Sequence, residues 1–304
     1  MNSISIIIIS YNRVSDTLDL LTDITQLKNI DLLKEVILLN NASTDDYTPI
    51  QNFIRSNNQI PFKYINAPEN LGVSRGRNYA TKYANGDIFF YIDDDVNLKD
   101  KATLPKIIQS FSRTNGEERK IGAVSFKVFY ASTMQLQINA FPHKKFEKYK
   151  NKHQFLTYYY AGCAHAKLRQ AWNDAGGYPN DFFYGMEEYD FSFRVLNKDY
   201  CIKYDDSVTI LHKESPLGRT PKAEKLRMMW VNKTKVAWKY LPKKYFYSTA
   251  ILWSVLFIQK TNFNWSNFVN GWRDIFRIKG TEKRTPLNAK TLEYLRKIEA
   301  RLWY

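Results

Sequence analysis

Cysteine is nearly absent from this sequence, in which Cys163 and Cys201 are the only two among 304 residues. Two thiols cannot build the disulfide framework of a small secreted domain, and their spacing matches no zinc motif. Proline is also scarce at ten residues, while 44% of the chain is hydrophobic. This composition excludes a disordered chain and predicts a protein with a full hydrophobic core in a reducing compartment.

Acidic residues are scarce in the last third of the chain. Residues 213–304 hold 20 Lys/Arg and only six Asp/Glu, whereas residues 1–212 hold 25 and 24. Nearly all of the net charge of +15 therefore lies in this last third. A basic appendage on a charge-balanced domain is typical of a segment that meets a polyanion, either a nucleic acid or an anionic membrane surface.

The sequence has no apolar run long enough for a transmembrane helix, which needs about 20 residues. Its best candidate, YFYSTAILWSVLFIQ, has 15 uncharged residues between Lys244 and Lys260. The aromatic content and flanking lysines favour a segment that lies in the headgroup zone of a membrane. An amphipathic helix packed on the rest of the chain is the alternative. No RRM, KH or helix-turn-helix signature is present, so we expect a membrane surface rather than nucleic acid as partner.

Apolar runs alternate with helix-like spacing over the first hundred residues. ISIIIIS, KEVILLN, PFKYINA and DIFFYID read as strands, and the segments between them have the 3.6-residue period of helices. The first run lacks a basic leader and is too short for a signal peptide, so we interpret it as a strand. The alternation predicts an α/β fold with parallel strands. The polar stretches SYN, NNASTD, NAPENLG and DDDV follow these strands, and we expect them to converge on one cleft.

The fourth predicted strand ends in three adjacent carboxylates, Asp93, Asp94 and Asp95. Charges of one sign at this spacing repel each other, so positive charge is expected among them. Counterions, basic side chains and a metal ion can each supply it.

Six motifs occur in the order seen in family 2 glycosyltransferases with the GT-A fold. They are SIIIISYNR, NNASTDD, ENLGVSRGRN, YIDDDV, GGYPNDFFYGMEEYDFSFR and LHKES. The resemblance covers about residues 3–215. It implies a GT-A catalytic domain over residues 1–215, with a Rossmann-like, mostly parallel sheet flanked by helices. Residues 216–304 then form a basic, aromatic-rich helical region that we expect to associate with a membrane.

The resemblance also implies a nucleotide-sugar donor and a divalent metal, Mn²⁺ or Mg²⁺. Asp95 would be a metal ligand, and His212, which follows the last predicted strand, would complete the metal site or touch the diphosphate. Asp94 would contact the ribose, with Asp93 supporting the loop. The alternative for the aspartates is an acidic, solvated turn after a strand.

Three further residues match donor-binding positions of the family. Tyr11 would stack on the base, Asn41 would hydrogen-bond its edge, and Arg77 would offset the charge of the diphosphate. Many relatives have an Asp at position 40 or 41, where this chain has two asparagines. The base therefore stays open among uracil, thymine and guanine, and the donor is a UDP-, dTDP- or GDP-sugar.

The pair Glu187-Glu188 takes the place of a Glu-Asp pair that precedes a helix in the family. The second member of that pair is the usual base, so the resemblance makes Glu188 the acceptor of the hydroxyl proton and Glu187 the substitute. Carboxylates also favour helix N-termini for electrostatic reasons alone. Asp190 and Arg194 have the i, i+4 spacing of a structural ion pair.

The function implied is inverting transfer of one sugar to a hydroxyl of a glycan or a polyprenyl-linked glycan, in cell-surface polysaccharide biosynthesis. We expect a cytoplasmic enzyme held peripherally at the inner face of the cell membrane. A sugar nucleotidyltransferase is one alternative, although SYNRVSD lacks the Gly-rich basic loop usual in that class. A non-catalytic protein that binds membrane or nucleic acid through the same scaffold is the other.

Overall fold

A computed structural model describes residues 3–112, 118–218 and 220–302 of the chain, and a single mixed sheet runs through it. Its strands are β1 Ile4–Ser10, β2 Leu33–Asn40, β3 Phe62–Asn66, β4 Ile88–Asp93, β5 Val96–Asn97, β6 Lys120–Tyr130, β7 Gln154–Thr157, β8 Ala164–Leu168 and β9 Tyr200–His212. They lie in the order β3-β2-β1-β4-β8-β6-β9-β5, and β7 pairs with the β9 edge.

Helices cover the sheet and continue beyond it. They are α1 Val14–Thr25, α2 Thr48–Ser56, α3 Gly72–Thr81, α4 Thr103–Ser110, α5 Phe146–Tyr149, α6 Arg169–Ala175, α7 Glu187–Leu196, α8 Lys222–Tyr240, α9 Lys243–Thr261, α10 Trp265–Thr281 and α11 Ala289–Lys297. Short 3-10 turns occur at Ile30–Leu32 and Ile138–Ala140. The α/β fold predicted from the alternation is confirmed.

The first four strands are parallel, which brings their carboxyl ends to one edge of the sheet. β1 pairs with β2 and β4, and β2 pairs with β3. The β-branched residues that predict β1 are buried on both faces, with Ile6 and Ile8 fully enclosed and Ile7 1% exposed. β8 runs antiparallel between β4 and β6, while β6 and β9 are parallel. The strand ends of β1, β2 and β4 therefore face a common space.

The predicted C-terminal helical region is present as α8 to α11, which lie against α7 and on each other. Trp230 on α8 is fully buried at its centre, and its indole N–H donates to the carbonyl of Ala250 on α9 at 3.0 Å. Its ring lies 5.9 Å from that of Phe268 on α10, and Gly271 leaves room for it. No described helix is both long and apolar enough to cross a membrane. Residues 219, 303 and 304 of the predicted region lie outside the described residues.

Asp190 on α7 fastens α8 to the sheet domain. Its carboxylate is 1% exposed and accepts from Arg194 at 2.8 Å, which confirms the predicted i, i+4 pair. It also accepts from Lys239 Nζ at 2.6 Å and from the Tyr240 hydroxyl at 2.9 Å, both on α8. One buried charge thus joins the two parts of the chain.

Replacing Asp190 with Asn keeps its shape but leaves Arg194 and Lys239 without a counterion. We expect the free energy of unfolding, measured in urea, to fall by about 3 kcal/mol because a buried ion pair loses one partner. The matched control is Glu69→Gln, which breaks an exposed pair with Arg75 of 2.6 Å. That change should cost about 1 kcal/mol or less. Equal losses in the two variants would contradict the role of Asp190.

Candidate active site

A cleft of about 670 Å³ opens at the carboxyl ends of β1, β2 and β4. The start of α7, Lys233 of α8 and Trp253 of α9 also line it. The cleft is lined by all nine of the site residues predicted from the sequence: Tyr11, Asn41, Arg77, Asp93, Asp94, Asp95, Glu187, Glu188 and His212. The strand-end motifs therefore converge, as the parallel pairing predicts.

Two arginines supply the positive charge expected among the three aspartates. Arg13, just after β1, lies 2.7 Å from Asp94 Oδ1 and 3.4 Å from Asp95 Oδ2. Arg77 on α3 lies 3.0 Å from Asp93 Oδ1. Asp94 and Asp95 are 2% and 1% exposed, so these contacts replace water around two buried carboxylates. A simple solvated turn does not describe this arrangement.

Asp93, Asp95 and His212 form a group with the donor set of a divalent metal site. Their candidate ligand atoms lie within 4.8 Å of one another. His212 Nε2 is 3.3 Å from Asp95 Oδ1, and that buried oxygen has no hydrogen-bond partner among the described residues. Carboxylate oxygens with one imidazole suit Mg²⁺ or Mn²⁺. The residues present therefore fit a divalent metal.

The side chain of Gln137 orients the His212 ring. Gln137 Nε2 donates to Glu214 Oε1 at 2.8 Å, which fixes the direction of the amide and turns its oxygen toward His212 Nδ1 at 2.9 Å. Nδ1 is therefore the donor in this contact, and Nε2 is the nitrogen that faces Asp95. Such outer contacts hold ligand histidines in place at metal sites.

The two buried aspartates have opposite pKa shifts. Burial raises the pKa of Asp94 to about 7, because its effect exceeds the lowering effect of Arg13, and the charge of Asp95 adds to the rise. Burial also acts to raise the pKa of Asp95, but His212, Arg13 and the backbone N–H of Ser215 hold it below the usual range. Asp95 is therefore the charged oxygen donor at neutral pH, and Asp94 can share a proton with a neighbouring hydroxyl.

Arg77 is 5% exposed and joins the carboxylates of the cleft to one another. Besides Asp93, its guanidinium donates to Glu187 Oε1 at 3.0 Å and to the carbonyl of Gly162 at 2.8 Å. In all three contacts the acceptor is a protein oxygen. The planar guanidinium has enough N–H donors to satisfy several acceptors at once. Its contact with a diphosphate stays a prediction, and the structure adds a role as the bridge between β4 and α7.

Glu187 and Glu188 are the first two residues of α7, and they differ in exposure and in their side-chain contacts. Glu187 is 2% exposed and held by Arg77, and burial with the charge of Glu188 raises its pKa to about 8. Glu188 is half-buried, and burial raises its pKa against the opposing charge of Arg77. Its Oε1 lies against Gly162, where a methyl group would clash with it. Both glutamates line the cleft, and Glu188 is the more exposed of the pair.

Asn41 has several contacts with the loop that precedes α3. Its Oδ1 accepts from the N–H of Leu71 at 3.0 Å, and its Nδ2 donates to Asn70 Oδ1 at 3.1 Å. The backbone N–H of Tyr11 lies 3.4 Å from Asp94 Oδ2, so Tyr11 adjoins the aspartates. Base recognition by Tyr11 and Asn41 stays a prediction.

The sequence motifs did not indicate that Arg13, Gln137, Lys144 and Lys233 are among the residues that line the cleft. Arg13 had a usable signal, because it follows SYN at the same sheet edge as the aspartates that need a cation. The other three come from irregular chain or from a helix after residue 215, and no motif links them to the strand ends.

Comparison with known sequences identifies the family. Residues 5–171 match the model of Glycosyl transferase family 2. An uncharacterized protein of Haemophilus influenzae is 31% identical over 182 residues, which is 59% of this chain and 94% of that protein. The chain therefore belongs to glycosyl transferase family 2 and is a glycosyltransferase enzyme.

Solved structures share the fold over nearly the whole chain. One is the mannosyltransferase PcManGT from Pyrobaculum calidifontis in complex with GDP-Man and Mn²⁺, at a TM-score of 0.58 and 14% identity, covering 97% of this chain and 78% of that one. Another is S. aureus TarS 1-349 in complex with UDP-GlcNAc, also at 0.58 and 14%, covering 98% and 88%. The predicted GT-A fold is confirmed.

Proposed function

We propose that this enzyme transfers one sugar, with inversion, from a nucleoside-diphosphate donor to a hydroxyl of a glycan or lipid-linked glycan at a membrane surface. The observation that carries the proposal is that one cleft holds both a set of candidate metal ligands and a candidate base. The group Asp93, Asp95 and His212 lies beside β4 and β9, and Glu188 lies at the start of α7. Arg77 connects them through Asp93 and Glu187.

The donor half of the proposal rests on the aspartates and the two arginines. Asp93, Asp95 and His212 would hold Mn²⁺ or Mg²⁺, and the bound ion would supply positive charge that stabilises the departing diphosphate. Asp94, with its raised pKa, suits a hydrogen bond to a ribose hydroxyl. The structural relatives support this half, since PcManGT was captured with GDP-Man and Mn²⁺ and TarS with UDP-GlcNAc. They leave the base of the donor open between guanine and a pyrimidine.

The acceptor half rests on Glu188. A single displacement needs a base that takes the hydroxyl proton as the oxygen attacks the anomeric carbon from the side opposite the leaving group. Both glutamates line the cleft, but Arg77 holds Glu187 and leaves Glu188 the more exposed of the two. A carboxylate whose pKa is raised above its usual value is a stronger base than an exposed glutamate.

A membrane surface is supported by the outward face of α9 and α10. Four apolar side chains of α9 and three aromatic ones at or near α10 are exposed: Tyr247, Ile251, Leu252, Val255, Phe263, Trp265 and Phe276. Exposed cations flank them: Lys243, Lys244, Arg273, Arg277 and Lys279. Apolar and aromatic side chains among cations match an anionic headgroup layer, so we assign this face to the cytoplasmic leaflet of the cell membrane.

The experiment that tests the donor site is calorimetric titration of UDP, dTDP and GDP, each with and without Mn²⁺ or Mg²⁺. We expect metal-dependent binding of one nucleotide, weakened about tenfold or more in Asp95→Ala through loss of a charged ligand. Asp31→Ala, an exposed acid outside the cleft, should bind as wild type does. If folded wild-type protein binds none of the three, the transferase site is wrong and a non-catalytic scaffold is favoured.

The raised pKa values of the glutamate pair predict the pH dependence. Because the base must be unprotonated, the rate of nucleoside-diphosphate release should rise with pH as the raised pKa of Glu188 is passed. Glu188→Gln should lower this rate about 100-fold to 10,000-fold. Glu187→Gln keeps the proposed base, so its pH profile should keep the rising limb. If Glu188→Gln keeps the wild-type rate and the rising part of the pH profile, another group is the base.

Membrane attachment predicts that a charge on the outward face of α9 weakens binding. In co-sedimentation with vesicles of phosphatidylcholine and phosphatidylglycerol, Val255→Asp should reduce the bound fraction about tenfold, since a carboxylate would enter the headgroup zone. Asn52→Asp on exposed α2 is the control with the same added charge. Similar losses in the two variants, or wild-type protein that stays in the supernatant, would refute this attachment face.

A further inference from the structure

Two stacked tyrosines form an aromatic wall in the cleft beside Glu188. The rings of Tyr159 and Tyr189 lie 4.6 Å apart with an interplanar angle of 16°, and both side chains are buried. Tyr189 is the residue next to Glu188 on α7. The wall therefore adjoins the carboxylate that we propose as the base.

A lysine lies against each tyrosine of this wall. Lys233 Nζ on α8 is 3.1 Å from the centroid of the Tyr189 ring, and Lys144 Nζ is 5.4 Å from that of Tyr159. Both lysines line the cleft. We call Lys144 and Lys233 the lysine pair.

The lysine pair has no ion pair with a carboxylate in the described parts of the chain. This distinguishes Lys233 from its neighbours on α8, since Lys235 pairs with Asp181 and Lys239 pairs with Asp190 at 2.6 Å. Burial and the charge of Lys144 lower the pKa of Lys233 well below its usual value, with Glu188 acting in the opposite direction. Two cations that repel each other in a partly enclosed space are stabilised when an anion lies between them.

The lysine pair and the candidate metal ligands lie on different elements. Lys233 lies over the ring of Tyr189, the residue next to Glu188, whereas Asp93, Asp95 and His212 lie at the ends of β4 and β9. The lysine pair thus belongs to the surroundings of the proposed base. The donor diphosphate would instead lie at the Asp93, Asp95 and His212 group.

We infer that the lysine pair is a subsite for a phosphoryl group carried by the acceptor. This inference rests on the proposed function, because it takes the side of Glu188 as the acceptor side. Ammonium groups bind phosphate oxygens as point charges, and a phosphoryl group offers several charged oxygens to two lysines. The phosphoryl group can belong to a phosphodiester within a glycan or to the diphosphate of a lipid carrier.

The test is calorimetric binding of two probes to the full chain saturated with its nucleoside diphosphate and Mn²⁺, so that the donor site is occupied. Glycerol 3-phosphate, with glycerol as its neutral counterpart, represents the glycan source. Polyprenyl diphosphate in phosphatidylcholine vesicles, with empty vesicles as blank, represents the lipid source. The variants are Lys144→Gln, Lys233→Gln and the charge-retaining Lys233→Arg, each checked by thermal unfolding.

The matched control is Lys152→Gln, an exposed lysine that also lies over a tyrosine, with Nζ 4.6 Å from the Tyr149 ring, but outside the cleft. We expect each Gln variant in the lysine pair to lower the affinity for the probe about tenfold. Lys233→Arg should recover most of that affinity, and Lys152→Gln should bind the probe as wild type does. The probe that binds identifies the source of the phosphoryl group.

Three results would overturn the subsite: neither probe binds, the lysine substitutions leave affinity unchanged, or Lys152→Gln weakens binding as much as they do. Nucleoside-diphosphate binding is measured first on the same samples. If it is present while both probes fail, the subsite is wrong and the donor site stands. If it is absent, the proposed function fails before the lysine pair is tested.

Discussion

Six carboxylates line one partly buried cleft, and their mutual repulsion is the constraint that the rest of the site must satisfy. Arg77 does most to satisfy it, because its guanidinium holds both Asp93 at the end of β4 and Glu187 at the start of α7. Arg13 does the same for Asp94 and Asp95. Each arginine compensates acids from neighbouring segments, so the charges fix the relative positions of strand ends and helix start. Removing either cation would leave buried charge unpaired, which costs more than the contact itself contributes.

The geometry that results assigns different tasks to chemically similar side chains. Asp95 stays ionised beside His212, whereas Asp94, its neighbour in sequence, has a pKa of about 7 because the effect of burial exceeds that of Arg13. Glu187 is held by Arg77, and Glu188 faces Gly162 and the open cleft. Environment rather than residue type separates the proposed metal ligand, ribose contact and base.

Much of the sheet edge was predictable from the sequence, because β-branched runs mark buried parallel strands and parallel strands end together. That rule brings Tyr11, Asn41 and Asp93 to one place without any knowledge of side-chain packing. The contributions of Lys144 and Lys233 were not predictable. Lys144 lies in irregular chain. Lys233 lies on α8, which Asp190 and Asn232 hold against α7 and the segment before it, and no local period records such contacts between distant parts of the chain. The division at residue 215 stays a prediction, yet the helices beyond it contribute side chains to the cleft.

Helix α9 has one side in the cleft wall and another side exposed on the outside of the protein. Trp253 and Leu256 line the cleft, while Ile251 and Val255, less than two turns away, are exposed on the outward side. The two sets of side chains share one helix of 19 residues. A partner that fixes the outward side of α9, such as the membrane surface proposed above, would therefore also restrict the movement of this cleft wall.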